Sequence, residues 1–238
     1  MATATRQPIK INIDADLPTS REPLCHLTDT ERVRLGKTCT MLTLPRGSKV
    51  YGQGDKADKI YFVLKGKVKT TQEGVSGRDQ IVKLAAATDV IGYRAALAGE
   101  RHSATATTIE DSTLISVPRA DAMDVIRENP ALATYIIKSL ARELRLCRTR
   151  SVSLAQKQIR GRLAESLLCI RDKYGYVSGT RKLNIRMTRE DLASLSNMTT
   201  ANAIRTLRAF ADEGLVEVKG REITVKDEPG LERTSRLG

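Results

Sequence analysis

From Met41 to about Val117 the chain runs in short apolar bursts broken by glycine. Met41-Leu42-Thr43-Leu44 gives way to Pro45-Arg46-Gly47, and Ile60-Tyr61-Phe62-Val63-Leu64 gives way to Lys65-Gly66. Val68 to Thr71, Gln80 to Leu84, Val90-Ile91, Ala104 to Ile109 and Thr113 to Val117 complete the series. Short apolar runs at this spacing, punctuated by turn residues, predict an antiparallel sandwich or roll. Gly47, Gly52, Gly54, Gly66, Gly74 and Gly77 mark its tight turns, where a positive φ is expected.

After Pro118 the period becomes helical. Arg119 to Glu128 predicts a short helix stopped by Asn129-Pro130. A long helix follows over about Ala131 to Ala155. Its apolar seam is Ile137, Leu140, Leu144, Cys147, Ser151 and Leu154, an alternation of three- and four-residue steps. A helix lying on its own domain shows a broader stripe. Here the flanks are charged (Lys138, Arg142, Glu143, Arg145, Arg148, Arg150), and a narrow seam with such flanks predicts pairing with a second copy. Gln156 to Lys173 predicts a further helix with Ile159, Leu163, Leu167 and Ile170 on one face. Tyr174 to Gly179 is a turn-rich break.

The stretch from Asn184 to Val225 has the most definite pattern. Thr188 precedes Arg189-Glu190-Asp191, so it can cap a helix whose third residue is acidic. Leu192 and Leu195 give that helix its apolar face, and Asn197 stands where it must stop. Thr199 caps the next helix. Ile204, Leu207 and Phe210 are expected on its buried face, and Gly214 ends it. Leu215 to Val218 and Arg221 to Val225 then pair as a hairpin around Lys219-Gly220. Helix, tight turn, helix and β-wing make a winged helix-turn-helix, in which the start of the second helix enters a DNA major groove. By position the base-reading candidates are Thr200, Ala201, Asn202 and Arg205, with Arg205 suited to a guanine edge and Asn202 to an adenine. Thr188, Arg189, Thr199, Arg208 and Lys219 are the phosphate candidates.

The charge balance agrees. Net charge is +12 and the isoelectric point is near 9.7. Between Arg142 and Arg208 fifteen Lys and Arg residues face five Asp and Glu, so the excess lies in the C-terminal half of the chain. Cys25, Cys39, Cys147 and Cys169 form no C-x-x-C pair, and His26 and His102 are the only histidines. Neither a metal site nor a haem is expected from them. No membrane span and no secretory leader are expected, which makes the cytoplasm the default location.

With these motifs in order, the sequence from about Leu24 to Val225 resembles the Crp/Fnr family of bacterial transcription regulators. The likeness rests on Val50-Tyr51-Gly52-Gln53-Gly54-Asp55, on Ile60 to Val68, on Val90-Ile91-Gly92, on Asn129-Pro130 with the long helix, and on Thr188 to Val225. It implies an α+β fold: a double-stranded β-roll of the cyclic-nucleotide-binding kind, a dimerisation helix and a winged helix-turn-helix. The corresponding boundaries are a mobile arm over 1–23, the β-roll over 24–130, the dimerisation helix over 131–157, the DNA-binding domain over 158–230 and a tail over 231–238. The implied partners are double-stranded promoter DNA, a second copy of the chain and RNA polymerase, with no membrane and no enzymatic activity.

The departures from the family pattern are specific. Cyclic-AMP-binding members carry Gly-Glu-Leu at the phosphate cassette, with the Glu on the ribose; here the run is Gly92-Tyr93-Arg94. Where they carry Arg-Ser-Ala this chain has His102-Ser103-Ala104, preceded by Arg101, and where they carry Thr-Ser on the dimer helix it has Cys147-Arg148. Gly92, Tyr93, Arg94, Arg101, His102, Ser103, Cys147 and Arg148 therefore define a candidate effector pocket not built for cyclic AMP, and no cofactor is assigned. The recognition helix also lacks the family's usual Arg and Glu while keeping Arg205, so the family's usual half-site is not carried over to it. Two other classes fit the sequence less well. A metal-dependent enzyme on the roll would need more inward histidines, and a non-specific architectural DNA protein would have no use for base-reading positions or a sensor.

Overall fold

The computed structural model describes residues 22–74 and 77–237. The arm expected over 1–23 falls outside them except for its last two residues. The described chain forms two units. One holds the residues up to Gln72 together with Lys83–Leu144, and the other holds Glu73–Val82 with Arg145 onward.

The first unit is built on a β-roll. Its strands are β1 (Thr40–Leu44), β2 (Lys49–Tyr51), β3 (Lys59–Lys65), β4 (Val68–Glu73), β5 (Asp79–Ala85), β6 (Val90–Ile91), β7 (Thr105–Thr108) and β8 (Ser112–Pro118). They lie in two four-stranded sheets, ordered β1-β8-β3-β6 and β2-β7-β4-β5. Strand β3 shows how the roll is made. Tyr61 and Val63 point into the core formed with Val68, Ile91, Ala106 and Leu114, while Phe62 joins Ile115, Val125 and Leu132 in a second core. Alternate residues of one strand thus feed two cores, and a fully buried side chain such as Val63 contributes about 1.5–3 kcal/mol.

Helices α1 (Asp29–Gly36), α2 (Tyr93–Ala98) and α3 (Arg119–Glu128) belong to this unit, and α4 (Pro130–Gln156) begins in it. Thr28 and Glu31 cap α1 reciprocally. Asn129 starts α4: its Oδ1 accepts from Leu132 N at 2.9 Å and its Nδ2 donates to His26 O at 2.8 Å. Pro130 follows at the first helical position, where its missing N–H costs nothing.

Helices α5 (Ile159–Tyr174), α6 (Arg189–Leu195), α7 (Thr200–Asp212) and α8 (Glu228–Leu237) and the hairpin β9–β10 (Val216–Lys219, Glu222–Val225) make up most of the second unit. Leu163, Leu167, Ile170, Leu192, Leu207, Phe210 and Leu231 are all at most 2% exposed. The segment 73–82 is tied into this unit. Ser194 Oγ accepts from Ile81 N at 2.8 Å and donates to Asp79 O at 2.7 Å. The Arg150 guanidinium donates to Ile81 O at 2.8 Å and to Leu195 O at 2.9 Å.

Several expectations change in detail. Gly47, Gly54, Gly66 and Gly77 have positive φ, but Gly52 and Gly74 do not. There the constraint is space: a Cβ at Gly52 would stand 3.1 Å from Asp55 Oδ2, and one at Gly74 would stand 2.5 Å from Arg78 O. Residues 231–237, expected as tail, are the end of α8, with Leu231 fully buried. Arg150, read as a charged flank of the seam, is half-buried and committed to carbonyls.

Candidate nucleic-acid interface and effector cassette

The helix-turn-helix is set by its caps. Thr188 Oγ1 accepts from Asp191 N at 3.0 Å and the Asp191 carboxylate accepts from Thr188 N, which starts α6. Asn197 takes φ +49, the left-handed turn between the helices. Thr199 Oγ1 accepts from Asn202 N at 3.3 Å and starts α7. Both threonine hydroxyls, proposed for phosphate, therefore serve as caps.

Helix α7 buries Ala203, Thr206, Leu207 and Phe210. Ala201, Ile204, Arg205 and Arg208 are exposed. This corrects one expectation: Ile204 does not share the buried face with Leu207 and Phe210 but is 49% exposed. The helix turns 100° per residue, and Thr206 rather than Ile204 completes the inner stripe. Thr200 and Asn202 are partly exposed, and Asn202 Oδ1 accepts from Arg205 Nη2 at 2.5 Å. Arg189, a phosphate candidate, is half-buried and donates to Gly220 O in the wing turn at 2.7 Å. Lys219 stands exposed on the wing, 2.6 Å from Glu217, which keeps its ammonium charged.

The cassette of the first unit is filled by its own side chains. His102 is buried, and its ring lies 3.8 Å from that of Tyr51 at 15°. Gly92 takes φ +79 beside them, and a Cβ there would stand 3.2 Å from His102 Cε1. The remaining space, lined in part by Thr70, Gly92, Tyr93, Arg94, His102 and Ser103, is about 40 Å³. That is on the order of one or two waters. Burial holds the His102 imidazole below its usual pKa, so it is neutral near pH 7 and offers a phosphate no cation. Arg94 is half-exposed, with its Nε 3.7 Å from Glu143. Arg101 is exposed and donates to Gly54 O at 2.7 Å. Cys147 and Arg148 are exposed on α4.

Of the seam on α4, Ile137 is 66% and Leu144 is 54% exposed, Cys147 and Ser151 are exposed, and Leu140 and Leu154 are partly so. Among the described residues no three His, Cys, Asp or Glu side chains gather as a metal site, and no helix is long and apolar enough to cross a membrane.

A β-roll of this topology followed by a winged helix-turn-helix defines a DNA-binding transcription regulator. Known proteins agree. A family model for the cyclic nucleotide-binding domain matches residues 41–129, and one for the Crp-like helix-turn-helix domain matches 161–234. The chain is 25% identical over 203 residues to the CRP-like cAMP-activated global transcriptional regulator of Mycobacterium tuberculosis, covering 85% of this chain and 91% of that one. It is 28% identical over 212 residues to the cyclic AMP receptor protein of Thermus thermophilus, covering 88% and 95%. The solved structure of FixK2 from Bradyrhizobium japonicum shares the fold, with a TM-score of 0.75 at 22% identity over 84% of this chain and 99% of that one. The chain belongs to the Crp/Fnr family of transcription regulators.

Proposed function

We propose that the chain binds a two-fold promoter operator as a homodimer, reads it by sequence and is not controlled by cyclic AMP. In this reading it works in the cytoplasm, has RNA polymerase as its partner at the promoter and has no catalytic activity of its own. The observation that carries the reading is the exposed row Ala201, Ile204, Arg205 and Arg208, opposite a fully buried face of the same helix. A row of that make-up presents an apolar tip and two guanidinium forks to base edges and phosphates. The exposed seam on α4 supports pairing. The Tyr51–His102 stack and the small volume beside Gly92 support a cassette closed to a cyclic nucleotide.

Selection of bound DNA from a random pool, with and without cyclic AMP, tests this. An inverted repeat is expected, its half-sites about 10–10.5 base pairs or a multiple of that apart, enriched equally in both conditions. Affinity for the selected site should exceed that for random DNA by roughly 10³-fold or more at fixed salt. Equal affinity for both would identify a non-specific binder, and enrichment only with cyclic AMP would restore nucleotide control.

A further inference from the structure

The first unit contains a second cavity, of about 260 Å³, which shares Lys83 and Tyr93 as walls with the cassette. Ile60 and Phe62 of β3, Val125 and Ile126 of α3, and Leu132 and Ile136 of α4 give it an apolar lining. A space of about 150 Å³ with such a lining already accommodates benzene. This one is larger, and it is not uniformly apolar. Lys83, Tyr93 and Glu143 also line it.

Those three groups form one cluster. Lys83 Nζ donates to Glu143 Oε1 at 2.5 Å and stands 5.3 Å from the centre of the Tyr93 ring. Burial disfavours the Glu143 charge, but Lys83, Arg94 and the Tyr93 hydroxyl outweigh it and hold the carboxyl below its usual range. Burial and that carboxylate push the Tyr93 hydroxyl up, so it remains a donor. The charges at this wall are already matched. A carboxylate entering the cavity would compete with Glu143 for Lys83, and an ammonium would face Lys83. A hydroxyl or amide can both donate and accept there without unpairing either ion.

We propose that this cavity is a small-molecule site for a compact, mainly apolar compound, one or two fused rings in size, carrying a single uncharged hydroxyl or amide that meets the Lys83–Glu143–Tyr93 cluster. The space beside Gly92 and His102, on the other side of Lys83 and Tyr93, is not the space the compound would occupy. Nothing in the proposal depends on how the chain reads DNA, and binding is measured on the full chain alone.

The probe is 2-naphthol, with naphthalene as the same shape lacking the hydroxyl. The chain has no tryptophan, so naphthol fluorescence is read without indole background. Saturable binding of one naphthol per chain is expected, about tenfold tighter than naphthalene and undisturbed by excess cyclic AMP. Ala122→Phe, which fills the cavity from α3, should weaken it at least tenfold. Should that variant fold poorly, isoleucine-methyl NMR on the unaltered protein locates the ligand: Ile60, Ile126 and Ile136 should shift, and Ile91 beside the cassette should not. No saturable binding, full binding by a folded Ala122→Phe, or shifts centred on Ile91 would overturn the site. Equal affinity for naphthol and naphthalene would overturn the role of the polar cluster.

Discussion

Asn202 and Arg205 are bonded to each other, Oδ1 to Nη2, one turn apart on the exposed side of α7. An amide that holds one arm of a guanidinium fixes where the other arms point. A guanidinium so held is ready to fork onto a guanine edge, a contact worth about 1–3 kcal/mol of discrimination. Arg205→Ala should therefore relax preference at one base pair in each half-site. Arg208→Ala should weaken specific and random DNA alike and lower the salt slope by about one. Titrations against the selected operator and its single-base variants check both. A uniform loss across all variants for Arg205→Ala would make it a phosphate anchor.

Ile204 leads to a separate prediction. A large aliphatic side chain in that exposed row suits the methyl group of a thymine. Ile204→Ala should cost roughly 1 kcal/mol at one thymine position and change fold stability by less than about 0.5 kcal/mol. Methyl-free uracil at that position should bind the wild type as weakly as the variant binds thymine. An undiminished preference for thymine in the variant would remove Ile204 from base reading.

The seam predicts the oligomeric state. Leu140→Glu with Leu144→Glu places like charges across any pairing of two α4 helices. Sedimentation should show the double variant at half the mass of the wild type, and an unchanged dimer mass would rule the seam out.

His102 gives a pH dependence with a definite sign. Burial lowers its folded pKa below the ordinary 6.5, so the unfolded chain holds more protons in the interval between the two values. Its contribution is complete above about pH 6.5 and is lost as pH falls through that value toward the folded pKa. His102→Phe, which keeps a ring against Tyr51, should lose less stability than wild type between pH 7.5 and pH 5. Denaturant melts at the two pH values measure the difference, and parallel losses would refute it.

Leu231 is fully buried at a place where the sequence suggested only a tail. Leu231→Ala should destabilise the second unit by about 2–5 kcal/mol, read as a lower melting temperature together with weaker DNA binding on warming.

What the sequence made legible was what repeats locally. The Thr188 and Thr199 caps, Asn197 at the turn and the apolar run of β3 are all written in neighbours a few residues apart, and each was found where expected. Ile204 was misplaced because the small residues Ala201 and Ala203, either side of Asn202, leave the phase of a short helix open by one residue; only the packing of Thr206 settles it. Glu228 to Leu237 has no strong apolar stripe, and its helix is held by Leu231 and by the Arg171–Glu228 bond, whose partners stand 57 residues apart. The fit of Tyr51, Gly92 and His102 is likewise invisible until distant strands meet, although the substitutions at Tyr93 and His102 already pointed away from a nucleotide.

The bonds of Arg150 and Ser194 to residues 79–82 bear on how such a chain can be cut and rejoined. A chimera made by transplanting everything from Arg145 onward onto a foreign sensor would leave behind the carbonyls of Asp79, Ile81 and Val82. The Arg150 guanidinium would keep only Leu195 O of its three carbonyl acceptors and the Ser194 hydroxyl would lose Asp79 O, and a buried group left without a partner costs about 1–3 kcal/mol. The transferable module is thus discontinuous in sequence, and a functional graft has to carry the ten residues from Glu73 to Val82 along with the DNA reader.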